Sequence, residues 1–240
     1  MQNKVKRKRV LSSEEKPFKI EPTFTGDKEE QRPWTLYVQE KSASLDGYPE
    51  YIYLEYSLYI YNVIQLPEYY SEVFHIIRNA SAGDVLHIFI NSPGGAVDTL
   101  SSFSAAIDDT EALVVCHVDG SADSAAFVLA FMGDETFFAE SSQLMAHNQR
   151  LSIGMADMAN LNKFLQNATT TYRNMLERYC YKVLSPEEIE KICTDGQEIH
   201  LTSAECRARI KAYKEAHPEE YSSDDEEDST AECDCCGKLQ

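Results

Sequence analysis

A serine, a histidine and two nearby carboxylates lie in the second half of the 240-residue chain. Ser124 follows the short polar sequence "DGSAD", His147 comes 23 residues later at the end of "QLMAH", and Asp195 and Glu198 lie within "TDGQEIH". A hydroxyl nucleophile, an imidazole base and a carboxylate that orients the imidazole are the groups needed for acyl transfer through a covalent intermediate. Ser124, His147 and one of the two carboxylates are therefore candidate catalytic residues.

Each of these residues also has a purely structural explanation. Serine is a preferred helix N-cap, a lone histidine is more often structural than catalytic, and surface acids are common. A fourth feature favours the catalytic interpretation over the structural one. The sequence "INSPGG" at residues 90–95 ends in two adjacent glycines that can turn their N–H groups outward. This loop could also be a simple turn or a phosphate-binding loop. Neither "GxxxxGKS" nor "GxGxxG" follows, and a net charge of −18 disfavours phosphate.

Two successive strand–break–helix units hold these residues. "DVLHIFI" (84–90) and "ALVVCHV" (112–118) are continuous apolar runs that predict buried strands, and helices are predicted over 96–107 and 124–132. Repeated units of this kind indicate parallel βαβ crossovers and an α/β fold. The glycine pair and Ser124 are then expected where a strand passes into a helix.

The remaining predicted elements extend on both sides of these units. They are a Tyr-rich strand at 51–61, a helix from Pro67, short strands at 136–139 and 143–147, a long helix at 155–180, and helices capped by Ser185 and Thr202 with the last ending near Ala216.

Composition predicts three regions. Residues 1–33 form a basic, mostly disordered arm, residues 34–216 form the folded domain, and residues 217–240 form an acidic, solvated tail that contains "CDCCG".

The net charge of −18 disfavours a nucleic-acid partner, and the chain lacks a secretory signal or an apolar run long enough to span a bilayer. We expect a cytoplasmic protein with reduced cysteines, no cofactor and no metal, since three thiols without a fourth ligand are weak evidence for zinc.

Four separated motifs resemble the proteolytic subunit of the Clp protease family. "INSPGG" is similar to that family's oxyanion loop, "GSADSAA" (120–126) to its nucleophile turn, "SSQLMAHNQ" to the sequence around its histidine, and "GQEIHLTSAEC" to the sequence around its third triad residue. The resemblance implies Ser124 as nucleophile, His147 as base and Glu198 as the orienting acid, with Asp195 as the alternative acid. It also implies an oxyanion hole made by the N–H groups of Gly95 and Ala125.

The resemblance carries further expectations about architecture and partners. It implies a crotonase-like α/β fold with a head domain and a long handle helix, stacked in homo-oligomeric rings that would form a tetradecamer. It also implies an AAA+ unfoldase ATPase as partner and unfolded polypeptides as substrates, with hydrolysis inside a chamber. The sequence departs from the family pattern at Asp123, at Ala125, at Asn148 and Gln149 after the histidine, and at the acid itself, which is Glu198.

Asp123 motivates a competing hypothesis, in which the chain is a catalytically weak or inactive subunit that assembles with an active protease. A carboxylate beside Ser124 would repel a developing oxyanion. Two further hypotheses are a crotonase-fold enzyme acting on an acyl-CoA thioester, which needs no serine nucleophile, and a membrane signal-peptidase relative with a Ser–Lys dyad, for which no lysine is suitably placed.

Overall fold

A mixed sheet of eight strands organises the computed structural model, which describes residues 18–20, 33–43, 51–150 and 158–221. The strand order is β1-β2-β3-β4-β5-β7-β8, with β6 paired to β5 beside β7. Strands β3, β4 and β5 run parallel, as do β5–β6 and β5–β7, whereas β1–β2–β3 and β7–β8 pair antiparallel. The predicted α/β class is confirmed.

The strands have the following bounds: β1 Phe18–Ile20, β2 Thr35–Ala43, β3 Tyr51–Ile60, β4 Val85–Ser92, β5 Leu113–Asp123, β6 Glu135–Phe138, β7 Gln143–Ala146 and β8 Ile199–Thr202.

The helices are α1 Ser71–Asn79, preceded by a 3-10 turn at Pro67–Tyr70, then α2 Val97–Asp109, α3 Ala125–Ala130, α4 Met158–Tyr179, α5 Pro186–Glu190 with a π-helical turn at Lys191–Asp195, and α6 Ser203–Ala216, followed by a 3-10 turn at Pro218–Glu220.

Both predicted caps are present. Ser185 begins α5 and Thr202 begins α6, and each forms a reciprocal capping box with the glutamate three residues later. The long helix predicted at 155–180 is observed as α4, and residues 151–157 lie outside the described residues. The sequence does not predict strands β1 and β8, which have three and four residues.

Strand β5 is longer than the sequence indicates. The polar residues 119–123 resemble a break, but β5 continues through them by changing partners. On one side its first half pairs with β6, while Ser121, Ala122 and Asp123 pair with β7. On the other side β4 stays its partner as far as Ser92↔Ala122, with an irregularity in the register after Ile90. The polar composition therefore reflects a strand whose end carries a site rather than a turn between two elements.

The two faces of the sheet differ. Leu58, Ile88 and Val118 point into the main core with the helices, where they pack in one cluster with Phe103 and Phe127. The core buries this face almost completely, as expected for parallel strands covered by crossover helices.

The opposite face carries a row of rings across four strands. Tyr59, Phe89, His117 and Phe137 are register partners and stack successively, with ring centroids 4.7, 4.5 and 5.6 Å apart. His117 also hydrogen-bonds His87 at 2.9 Å. Burial and the neighbouring His87 lower the pKa of His117 to about 4, so the His117 imidazole is neutral at physiological pH.

No described helix is long and apolar enough to cross a membrane.

The four described cysteines, Cys116, Cys180, Cys193 and Cys206, are buried free thiols. The boundaries predicted for the arm and the tail stay predictions.

Candidate functional site

Ser124 occupies a strained turn between β5 and α3. Its backbone has φ 59° and ψ −120°, and it is the only non-glycine residue with positive φ among the described residues. This region is costly for a residue with a Cβ, and it recurs where a nucleophile is held on a sharp strand-to-helix turn. The Ser124 side chain makes no capping hydrogen bond to α3, so helix capping does not explain the residue.

Gly94 is packed directly against this turn. A Cβ built on Gly94 would lie 2.5 Å from the Asp123 carbonyl oxygen and 2.7 Å from the Ser124 Cβ, and its φ is +93°. The neighbouring Gly95 has φ +150°, and a Cβ there would lie 2.1 Å from the carbonyl oxygen of Ile64. Only glycine therefore allows this loop to approach both the nucleophile turn and the chain after β3.

Backbone hydrogen bonds hold the glycine loop in place. The Ile64 N–H donates to the Gly94 carbonyl and the Ala96 N–H donates to the Ile64 carbonyl, both at 2.8 Å. The Ser92 hydroxyl accepts from the Gly94 N–H at 3.1 Å. Within the described residues the N–H groups of Gly95 and Ala125 donate no hydrogen bond; Gly95 is exposed, whereas Ala125 is fully buried.

His147 lies one residue beyond β7, and Glu198 lies one residue before β8. The β7–β8 ladder ends at Ala146↔Ile199, and one further step in the same register would place His147 opposite Glu198. The Ser124 N–H donates to the Met145 carbonyl at 2.7 Å, which ties the nucleophile turn to the strand that delivers His147. Among the described residues no hydrogen bond joins His147 to Ser124 or to Glu198, although all three come from adjacent strands.

Burial is the main cause that lowers the pKa of His147, and Arg150 lowers it further. Glu198 and Asp123 act in the opposite direction, because negative charges favour the imidazolium. The net effect keeps the imidazole neutral at physiological pH. A neutral imidazole is the form that can accept a proton from a serine hydroxyl.

Glu198, but not Asp195, is among the charges that affect the pKa of His147. Asp195 ends the π-helical turn, is exposed, and is absent from the charges that affect the His147 pKa. Glu198 is also shared, since Arg150 and His200 each approach one of its oxygens at 3.5 Å. Both contacts are exposed and are therefore weak, and the contact with His200 is an ion pair only when His200 is protonated.

Asp123 is half-buried beside two histidines rather than isolated. Register partners Asp123, Met145 and His200 form one row across β5, β7 and β8. Burial raises the pKa of Asp123, while His200 and His147 oppose that rise. Sequence reasoning missed His200, although "EIH" places Glu198 and His200 on one face of a strand.

The described residues contain no group of His, Cys, Asp or Glu that could hold a metal ion. The cysteines at positions 233–237, which are weak candidates for metal ligands, lie outside the described residues.

A parallel sheet that delivers a strained serine to the start of a helix, with a glycine loop against it, defines an α/β architecture used by enzymes with a serine nucleophile. A family model described as "Clp protease" matches residues 67–208, which is more than half of the chain. The chain therefore belongs to the Clp protease family. The matched residues include Gly94, Ser124 and His147, and extend to the start of α6.

A solved structure from Plasmodium falciparum, described as a peptidase, has a similar fold. Its TM-score is 0.53 at 14% identity, and the match covers 64% of this chain and 91% of that chain. At this identity the similarity concerns the fold alone. No curated protein matches the sequence significantly.

Proposed function

We propose that the chain is the proteolytic subunit of a Clp-type protease and acts as a serine endopeptidase on unfolded polypeptides. Membership of the Clp protease family supports the peptidase class. The observation that carries the serine mechanism is the backbone of Ser124, which is strained, free of any capping role and pressed against Gly94. Strain of this kind persists only where the surrounding structure imposes it.

His147 is the general base in the proposed mechanism. It takes the proton of the Ser124 hydroxyl as the oxygen attacks the carbonyl carbon of a peptide bond. The N–H groups of Gly95 and Ala125 stabilise the oxyanion. The imidazolium then protonates the leaving amine, and a water molecule, deprotonated by the same histidine, hydrolyses the acyl-enzyme. Glu198 orients the imidazole and stabilises its charged form.

The proposed mechanism requires the base to close on the nucleophile. Catalytic hydrogen bonds are often long in the absence of substrate and tighten when it binds. His147 is only half-buried and extends beyond the last pair of the β7–β8 ladder, so a small movement is possible without disturbing the core.

Ring assembly and an unfoldase partner are part of the proposal. Large apolar side chains stay exposed on the described surface, including Ile52, Tyr61, Leu66 and, on α4, Phe164 at 55% exposure. In this proposal α4 is the handle between stacked homo-oligomeric rings, an AAA+ ATPase delivers the substrate, and the complex works in the cytoplasm.

A weakly active or inactive subunit is the second candidate. The ion pairs of Glu198 with Arg150 and His200 favour it, because they compete with His147 for the same carboxylate. The presence of both Ser124 and His147 argues against it, because a subunit without catalysis needs neither residue.

Labelling with a fluorophosphonate, followed by peptidase assays, distinguishes the two candidates. An active triad forms an adduct on Ser124 and cleaves small fluorogenic peptides, and Ser124→Ala removes both activities. Ser121→Ala, three residues away on β5, is the matched control and should retain both. An unlabelled Ser124 in correctly assembled protein would favour the inactive subunit. Cleavage by Ser124→Ala at the parent rate would refute the serine mechanism.

A further inference from the structure

A basic groove lies between β6 and α6, away from the candidate site. Its volume is about 370 Å³, and Phe138 and Ile210 form its apolar floor. Three cations of α6, Arg207, Lys211 and Lys214, line the wall together with one acid, Glu215. A concentration of positive charge is unexpected on a chain whose net charge is −18.

The lysines of this groove are weakly compensated. Arg207 donates to the Phe138 carbonyl at 3.2 Å, but the contact of Lys211 is an exposed ion pair with Glu215 at 3.8 Å. Lys214 contacts the ring of Tyr221 at 5.2 Å. Exposed i,i+4 pairs contribute little, so both lysines can accept another carboxylate partner.

The described chain ends beside this groove. Tyr221 is its last residue, and the Tyr221 ring lies near Lys214, which lines the groove, and near Lys182 at 5.6 Å. Residues 222–240 contain seven acids and one lysine, and five of the acids are contiguous at 224–228. Three extended residues span roughly 10 Å, so this acidic run can reach the groove without displacing any described element.

We infer that the acidic segment 222–234 binds in this groove of its own chain, with the carboxylates of residues 224–228 paired to Lys211 and Lys214. Charge complementarity and the position of Tyr221 favour this segment over other occupants. The acidic segment then neutralises the α6 surface instead of serving as a free, extended tag. The contact is electrostatic, and it is therefore lost at high ionic strength.

Zero-length carbodiimide cross-linking of the full chain tests the inference directly. At low salt we expect amide bonds from residues 224–228 to Lys211 or Lys214, and their loss near 1 M salt, where the Debye length is about 3 Å. Mixing isotopically light and heavy chains separates intrachain from interchain links. Links to the basic arm at Lys4, Lys6 or Lys8, or links mainly between chains, would overturn the inference.

Cleavage by a glutamate-specific endoprotease provides a second test that does not depend on lysine chemistry. Binding in the groove should protect Glu226 and Glu227, so Lys211→Gln with Lys214→Gln should accelerate cleavage there by roughly three-fold to tenfold. Lys163→Gln with Lys191→Gln makes the same charge change on other elements and should leave the rate unchanged. Circular dichroism verifies that both variants are folded. Equal cleavage rates in all three proteins would refute the contact.

Discussion

The nucleophile half and the base half of the candidate site are built in different ways. Ser124 is fixed by a strained backbone, by Gly94 packed against it and by the fully buried Ala125 that follows. His147 and Glu198 lie beyond the end of a ladder, and Glu198 is held by exposed ion pairs. Rigidity is therefore concentrated where the new bond forms, while the proton-transfer groups depend on weak electrostatic contacts that solvent and salt modify.

We expect the largest effect on peptidase activity from a substitution in the rigid nucleophile half of the site. Gly94→Ala places a Cβ 2.5 Å from the Asp123 carbonyl, so either the nucleophile turn or the glycine loop must move. We expect peptidase activity to fall by about a thousandfold or more, since small misplacements near reacting atoms are costly. Gly83→Ala is the control, because Gly83 also has positive φ but nothing lies within 4 Å of its Cβ. Equal loss in both variants would mean that φ alone matters.

The next effect concerns the base half. Glu198→Gln should lower kcat/KM by roughly a hundredfold or more without loss of folding, because the imidazolium loses its charge partner. Asp195→Asn should change kcat/KM by less than about twofold, since Asp195 exerts no resolved influence on His147. The reverse order of effects would assign the third triad position to Asp195.

A stability measurement isolates the strain at Ser124. Ser124→Gly should be more stable than Ser124→Ala by about 1 kcal/mol in chemical unfolding, although glycine normally costs stability. Ser121→Gly, compared with Ser121→Ala, is the control in β5 at a residue without positive φ and should show the ordinary penalty for glycine. A penalty at both positions would contradict a strained nucleophile turn.

The smallest effect is a shift in pH dependence. His147 must be neutral to act as a base, so activity is present above its pKa and is lost as pH falls through that value. Arg150 lowers this pKa and Glu198 raises it. Arg150→Gln should therefore move the acid limb of kcat/KM to higher pH by a few tenths of a unit, and the residual activity of Glu198→Gln should show the opposite shift.

Arg178→Gln, which removes a distant ion pair with Asp108, should leave the acid limb of the pH profile unchanged. Shifts of the same sign in Arg150→Gln and Glu198→Gln would show that His147 is not the titrating group.

The sequence allowed the rigid half of the site to be predicted better than the base half. Glycines, a serine at a strand end and apolar runs are local signals, so the βαβ units and the Ser124 turn followed from them. The approach of Glu198 to His147 depends on the β7–β8 register, which joins residues about 50 positions apart. Neither the alignment of Asp123 with His200 across β7 nor the partner change of β5 leaves a local signal, because both arise only when β7 is inserted beside β6.

The row of rings formed by Tyr59, Phe89, His117 and Phe137 has a consequence for folding. Side chains alternate between faces, so a one-residue slip of any of the four strands would move its ring into the core and expose a core residue. The stack therefore selects a single alignment of strands that are widely separated in the chain. Ser124 lies six residues beyond Val118, the last β5 residue paired with β6. Correct alignment of the rings therefore also fixes the position of Ser124 relative to the neighbouring strands.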